Sequence, residues 1–275
     1  MKRALQWLGV AVLSAAVLST LLFVLAGVSL RSNRHQATMP VAETPRIFSV
    51  RNFLSDVYAA RVGERVIIFD AGMDPDAHAL ELLVDSLGAD LDAVSDVFLT
   101  HGHFDHVAAA ARCRKARIHI GAPDADLLAH RVSPGGVAPW LFGIVLSVPA
   151  VEATHRIVGS EVIDVGEHES VFAVPLPGHT SGSYAYLFDG VLFTGDALFV
   201  EGDQLLLADT KDAVPTNCDG VSIINDLFRK HRINAICTGH RGCSHSYTPQ
   251  RSAPGSDGPR RLDTLTLAAG PRCSG

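Results

Sequence analysis

From Ala4 to Leu30 the chain carries no charged side chain, and Gln6 with scattered Ser and Thr are the only polar interruptions between Lys2-Arg3 and Arg31. As a helix rising 1.5 Å per residue, such a run reaches about 40 Å, enough for a bilayer core of about 30 Å. Residues 1–35 are therefore expected to be a transmembrane anchor or a signal segment, the latter with a small-residue cleavage site at Val24-Leu25-Ala26. With Lys2 and Arg3 held inside, a single span through residues 4–30 leaves the rest of the chain outside the cytoplasm, so a membrane protein with an extracytoplasmic domain is expected, or an exported one after cleavage.

Residues 36–45 are polar and proline-punctuated and read as a linker. From Arg46 the pattern changes to short apolar runs. Ile47–Val50, Val57–Arg61 and Arg65–Asp70 read as strands, and Val66-Ile67-Ile68-Phe69 has the unbroken apolar character of a strand buried on both faces. Leu80, Leu82, Leu83 and Leu87 fall at helical spacing behind Asp74-Pro75, which predicts a helix over 76–87. A strand at Val97–Leu99, a helix at Val107–Lys115 and a strand at Arg117–Ile120 continue the alternation. The later half is richer in strands, at 157–158, 162–165, 171–175, 184–188 and 191–193, before a helix at Gly220–His231 and a strand at Ala235–Cys237. Residues 46–246 thus form one mixed α/β domain, and the Pro-, Gly-, Ser- and Arg-dense stretch 247–275 is expected to be a disordered tail.

Charge narrows the partners. Four of the 23 Lys and Arg precede residue 36, leaving 19 against 29 carboxylates and a formal charge of −10 on the remainder. A domain this acidic repels phosphate backbones, and nucleic acid is not an expected partner. The five cysteines, at 113, 218, 237, 243 and 273, show no CxxC spacing, which removes a zinc ribbon or a thioredoxin-like site. An odd number outside the cytoplasm leaves a free thiol or an intermolecular bond.

Chemistry concentrates where strands end. Thr100-His101-Gly102-His103-Phe104-Asp105-His106 follows the apolar run 97–99 and packs three imidazoles and a carboxylate into six positions. Four such side chains cannot be buried together without partners, and their alternation suits two metal ions held by one loop. Pro177-Gly178-His179-Thr180, Thr194-Gly195-Asp196 and Thr238-Gly239-His240 repeat the arrangement, each a strand end turning through glycine to offer a His or an Asp. Singly, each reads as well as a capping or surface residue. Together they point to one metal site.

This set resembles the metallo-β-lactamase-fold hydrolases over roughly residues 46–245, through FDAG at 69–72, THGHFDH, LPGHTSGS at 176–183, LFTGDALF at 192–199 and TGH at 238–240. The resemblance implies an αββα four-layer sandwich with metals at one edge. By position, His101, His103 and His179 hold a first metal, Asp105, His106 and His240 a second, and Asp196 bridges them. The implied enzyme is a dinuclear zinc hydrolase in which a metal-bridging hydroxide attacks the ester, thioester, lactone or amide carbonyl of a small-molecule acyl substrate, with Asp105 handling the proton. Asp70 is expected either to orient the ligand loop or simply to make a turn before Gly72. The alternatives are a persulfide dioxygenase with one Fe2+ held at His101, His179 and Asp196, a β-lactamase, or a non-catalytic metal-binding scaffold.

Substrate is read from departures. β-Lactamases of this fold carry Cys or Ser near the position of Asp196. Hydroxyacylglutathione hydrolases add a carboxy-terminal helical domain, whereas only 35 residues follow His240 here, and acyl-homoserine lactonases have Tyr where this chain has Phe199. Residues 139–149 are eleven positions without charge, including Trp140, and read either as an apolar lid over the metals or as a buried connection. Trp140, Phe199 and His245 are candidate substrate contacts. His119, His130, His155 and His168 read as structural or surface residues.

Overall fold

The computed structural model describes residues 39–41, 44–133, 146–201, 204–207 and 217–244, with Ser14, Leu18 and Ser19 as isolated positions. Nearly all of the expected membrane or signal segment, Trp140, His245 and residues 247–275 lie outside the described residues. Among the described residues, no helix is long and apolar enough to cross a membrane.

Seven strands form the first sheet in chain order: β1 (Met39–Val41), β2 (Thr44–Asn52), β3 (Ser55–Val62), β4 (Arg65–Phe69), β5 (Val94–Phe98), β6 (Arg117–Gly121) and β7 (His155–Ile157). The first four pair antiparallel, and β4 to β7 pair parallel. Parallel neighbours need a crossover. Between β4 and β5 it is the helix α1 (His78–Ser86), whose start is held by the Asp74 carboxylate accepting from the backbone N–H of Asp76 and of His78. A six-stranded sheet has β8 (Glu161–Gly166), β9 (Glu169–Pro175), β10 (Tyr184–Phe188), β11 (Val191–Gly195), β14 (Ala235–Thr238) and β15 (Cys243–Ser244) in the order β15-β14-β11-β10-β9-β8. A hairpin of β12 (Leu198–Glu201) and β13 (Gln204–Leu207) and the helices α2 (Phe104–Val107), α3 (Ala125–Leu128) and α4 (Asn217–Lys230) are the other strands and α-helices among the described residues.

Alternation along β4 shows how the layers form. Val66 and Ile68 face outward into a cluster with Leu80 and Leu83 of α1, while Ile67 and Phe69 face the second sheet. There Phe69 stacks on Phe193 at 3.8 Å between ring centroids and on Phe98 at 5.4 Å, with Tyr186 against both Phe69 and Phe98. Each such ring, withdrawn from water, stabilises the fold by about 1.5–3 kcal/mol. On the far face, Ile224, Leu227 and Phe228 of α4 cover Leu192 and Ile236. Helix, sheet, sheet, helix is the αββα order expected.

Several local expectations are corrected. Residues 39–41 and 44–45, expected as linker, are strand, with Pro40 opposite Phe48. The helix expected over 107–115 is only the short α2 followed by a 3-10 turn at Ala110–Arg112. There the backbone bonds across the fold instead of along a helix: Ala71 N–H donates to His106 O, Ala108 N–H to Gly72 O and Ala109 N–H to Ala71 O. Of the apolar stretch 139–149, Leu146 and Val148 are buried in the cluster under α1. Residues 139–145 lie outside the described residues.

Candidate metal centre

All four glycine-bearing loops leave the carboxyl ends of β5, β9, β11 and β14 at one edge of the sandwich. Three hydroxyl or amide ties across the sheets hold them in reach: Tyr184 N–H donates to Thr100 O at 2.8 Å, Tyr186 OH to Leu99 O at 2.8 Å and Tyr58 OH to Thr238 O at 2.7 Å.

The seven residues singled out as ligands come together. One ligand atom from each of His101, His103 and His179 lies within 4.8 Å of the others, and the same holds for Asp105, His106 and His240 and for His101, His106 and Asp196. His103 Nδ1 is 3.1 Å from His101 Nε2 and 2.9 Å from His179 Nε2. Asp196 reaches both halves, with Oδ2 2.9 Å from His240 Nε2 and 3.5 Å from His179 Nε2, and Oδ1 3.5 Å from His106 Nε2. Among the described residues, the buried His106 Nε2 and Asp196 Oδ1 have no hydrogen-bond partner. Orphaned buried atoms cost about 1–3 kcal/mol each, and a divalent cation between them would satisfy both. The donor set fits such ions: imidazole nitrogens for one, imidazole and carboxylate for the other.

Asp70 is where the loop is held. Its backbone takes a left-handed φ of 59° directly after β4. Its carboxylate accepts from Thr100 N–H at 2.8 Å, Thr100 Oγ1 at 2.9 Å and His106 Nδ1 at 2.8 Å. Binding Nδ1 leaves His106 Nε2 facing the site. Thr100 Oγ1 in turn lies 3.1 Å from His101 Nδ1, so one carboxylate meets the second half directly and the first through Thr100.

Two further anchors went unread in the sequence. Asp124, buried, accepts from Gly102 N–H at 2.9 Å, Gly182 N–H at 3.0 Å and Thr180 Oγ1 at 2.7 Å, clamping the His101–His103 loop to the His179 loop. Its signal was indirect: a Cβ at Gly182 would overlap Asp124, so glycine there marks a close approach. On the other side, the Arg51–Asp56 hairpin carries His240. Arg51 Nη2 donates to His240 O, Leu54 O receives His240 Nδ1 at 2.8 Å, and Asp56 Oδ2 accepts Gly242 N–H at 2.7 Å. Gly239 is pressed so closely on Asp196 and His106 that no side chain fits.

Electrostatics divide the cluster. Burial, and then the neighbouring imidazoles, hold His101 well below the usual histidine range. Burial likewise lowers His103, and takes His179 down to about 4. These three are neutral and ready to coordinate. Burial opposes charge on His106 too, yet Asp105, Asp70 and Asp196 together raise it well above the ordinary value. His240 is raised despite its burial, through its bond to Asp196. Asp196, although buried, is held well below the carboxylate range by His106 and His240.

Of the expected substrate contacts, Phe199 is half-buried on β12, while Trp140 and His245 lie outside the described residues. His119 is structural, buried with Nε2 2.8 Å from Asp96 Oδ1 and stacked on Phe98.

The family model described as Metallo-beta-lactamase superfamily matches residues 50–240, the span that holds all four loops. The chain belongs to this superfamily. Among the curated relatives, a hydroxyacylglutathione hydrolase of Methylobacillus flagellatus is 31% identical over 185 residues, 66% of this chain and 59% of that protein. One of Fuscovulum blasticum is 30% identical over 170 residues, 60% of this chain and 55% of that protein. The chain therefore spans little more than half the length of these relatives. Solved structures share the fold: a metallo-beta-lactamase of Cronobacter sakazakii carrying a mutated HARLDQ motif has a TM-score of 0.56 at 19% identity, covering 74% of this chain and 80% of that one. A B3 metallo-beta-lactamase with an active-site glutamic acid has a TM-score of 0.59 at 16% identity, covering 79% and 86%.

Proposed function

We propose that this metallo-beta-lactamase-superfamily chain is a dinuclear zinc hydrolase acting on an acyl carbonyl, with a thioester the favoured class. The observation that carries the reading is the convergence of two three-residue groups with Asp196 between them. His101, His103 and His179 would hold one ion, and Asp105, His106 and His240 the other. When bound, the ions supply a water acidic enough to attack at neutral pH and positive charge for the developing oxyanion.

The chain's own residues do the rest. His101, His106 and Asp196 are buried, whereas His103, Asp105, His179 and His240 are partly open, so substrate approaches over the latter four. Asp105, with Oδ2 3.6 Å from both His106 Nε2 and His240 Nε2, is the open carboxylate placed to take the proton of the attacking water. Leu54, half exposed on the strand connection whose carbonyl holds His240, gives the rim an apolar contact for an acyl group. The names of the relatives favour a thioester. An extracytoplasmic setting, tethered or released at residues 4–30, is supported by the apolar run and by a Cys237–Cys243 disulfide, a bond that persists in oxidising compartments.

The test is metal content of the chain purified without added metal, followed by hydrolysis of a thioester, a chromogenic ester and a cephalosporin with and without chelator. About two zinc ions per chain and chelator-sensitive thioester turnover are expected. One iron without zinc, or thioester hydrolysis indifferent to chelator, refutes the proposal.

A further inference from the structure

The loop that carries His240 is closed by a covalent bond. Cys237 and Cys243 lie opposite one another in the β14–β15 pairing and are joined by a disulfide, with His240 midway between them. The two sides of this loop are unequally held. β14 is buried along its length and pairs with β11, whereas β15 is two residues long and, among the described residues, pairs only with β14 at the sheet edge. A ladder that short holds little by itself, and the other ties on this side of the loop are single hydrogen bonds, Gly242 N–H to Asp56 Oδ2 at 2.7 Å and Thr238 N–H to Gly242 O at 3.0 Å. Arg241 is exposed, and Gly242, Cys243 and Ser244 are half-buried. The imidazole nevertheless has narrow tolerances, with Nδ1 2.8 Å from Leu54 O and Nε2 2.9 Å from Asp196 Oδ2.

We propose that the Cys237–Cys243 bridge positions His240, so that occupation of the second metal position depends on the oxidation state of this cysteine pair. The inference rests on the metal-site reading above. The first position shares none of this loop, since His101 and His103 follow β5 and His179 follows β9. Opening the bridge therefore loosens one ligand of the second position and none of the first. With a trialkylphosphine as reductant, the S–S bond takes two electrons from phosphorus. Two thiols form with protons from water, and the water oxygen ends on the phosphine oxide.

The experiment uses the full chain, with the bridge assigned by alkylating denatured protein with and without prior reduction. Zinc affinities at both positions are read by competition with a chromophoric chelator for the oxidised chain, the phosphine-reduced chain and C237A/C243A. A tenfold or greater weakening at the second position is expected in the latter two, with the first within twofold of the oxidised value and reoxidation restoring the reduced chain. Equal second-position affinity in all three forms overturns the inference, as does parallel loss at both positions, which would signal general unfolding. Alkylation of both cysteines without reduction overturns it as well. A chain that takes up no zinc in any form refutes the metal-site reading along with it.

Discussion

Replacing Asp70 by Asn alters a single heavy atom at a residue only 2% exposed, yet it leaves too few acceptors for the donors that meet there. The carboxylate receives Thr100 N–H on Oδ1 and both Thr100 Oγ1 and His106 Nδ1 on Oδ2. An amide oxygen kept at Oδ1 puts an NH2 group at Oδ2, against two donors. The Thr100 hydroxyl can rotate and accept. His106 can accept at Nδ1 only by moving its proton to Nε2, the atom that faces Asp105 and Asp196. Loss of a partner that fixes a ligating imidazole costs about 10–100-fold in metal affinity, or about 1.4–2.7 kcal/mol. The metal-free fold should lose about 1–3 kcal/mol, the cost of leaving a buried donor without an acceptor. His101 meets Asp70 only through Thr100, so the first position should weaken by about threefold at most. Competition titration of D70N against wild type checks this. Second-position affinity within twofold of wild type, or an equal fall at both positions, would show that Asp70 does not set the His106 tautomer.

Asp124→Ala works on the other half: it strands Gly102 N–H and Gly182 N–H and leaves the Thr180 hydroxyl only Ser183 Oγ, so urea unfolding should show about 3–5 kcal/mol less stability and chelator competition a loss mainly at the first position. The pH response of the two halves should differ in sign. His106 and His240 are raised, so without metal their protonation stabilises the fold below about pH 6.5 and that contribution is lost as pH climbs through the folded values. His101, His103 and His179 are lowered, so their contribution is present above about pH 6.5 and is lost as pH falls, for His179 through about 4. Zinc binding at pH 7 should accordingly release protons from the second position and few from the first, which calorimetry in buffers of different ionisation enthalpy will resolve. Cys113, a buried free thiol pushed up to about 12, should resist maleimide at pH 8 in the native chain and label only in denaturant; rapid native labelling would place it at the surface.

Strands with a strong apolar signal were legible because burial on two faces demands it, as at Val66–Phe69. The four ligand-bearing loops were legible because glycine and histidine at strand ends have few structural uses. What escaped was set by distant contacts. The alanines after His106 have high helix propensity, but the backbone of Ala71 and Gly72 takes up the bonds of residues 106–109. Asp124 belongs to no motif, since its three partners come from loops on either side of it in the chain. The Cys237–Cys243 pair becomes a bridge only through the β14–β15 register, which spacing alone does not specify. The β12–β13 hairpin has a local signal in the sequence, Gly202-Asp203 between two apolar runs.

The cluster draws on both sheets, with the His101–His106 loop from the first and His179, Asp196 and His240 from the second. A chain emerging from the ribosome therefore presents four ligands by residue 106 and cannot close the second position until residue 240 has been made and β14 has docked beside β11. On the proposed reading, metal capture would thus be a late event in the life of the polypeptide, a checkpoint on assembly of the whole sandwich. Once held, an ion that favours only the docked state resists the parting of the two sheets in proportion to its free concentration.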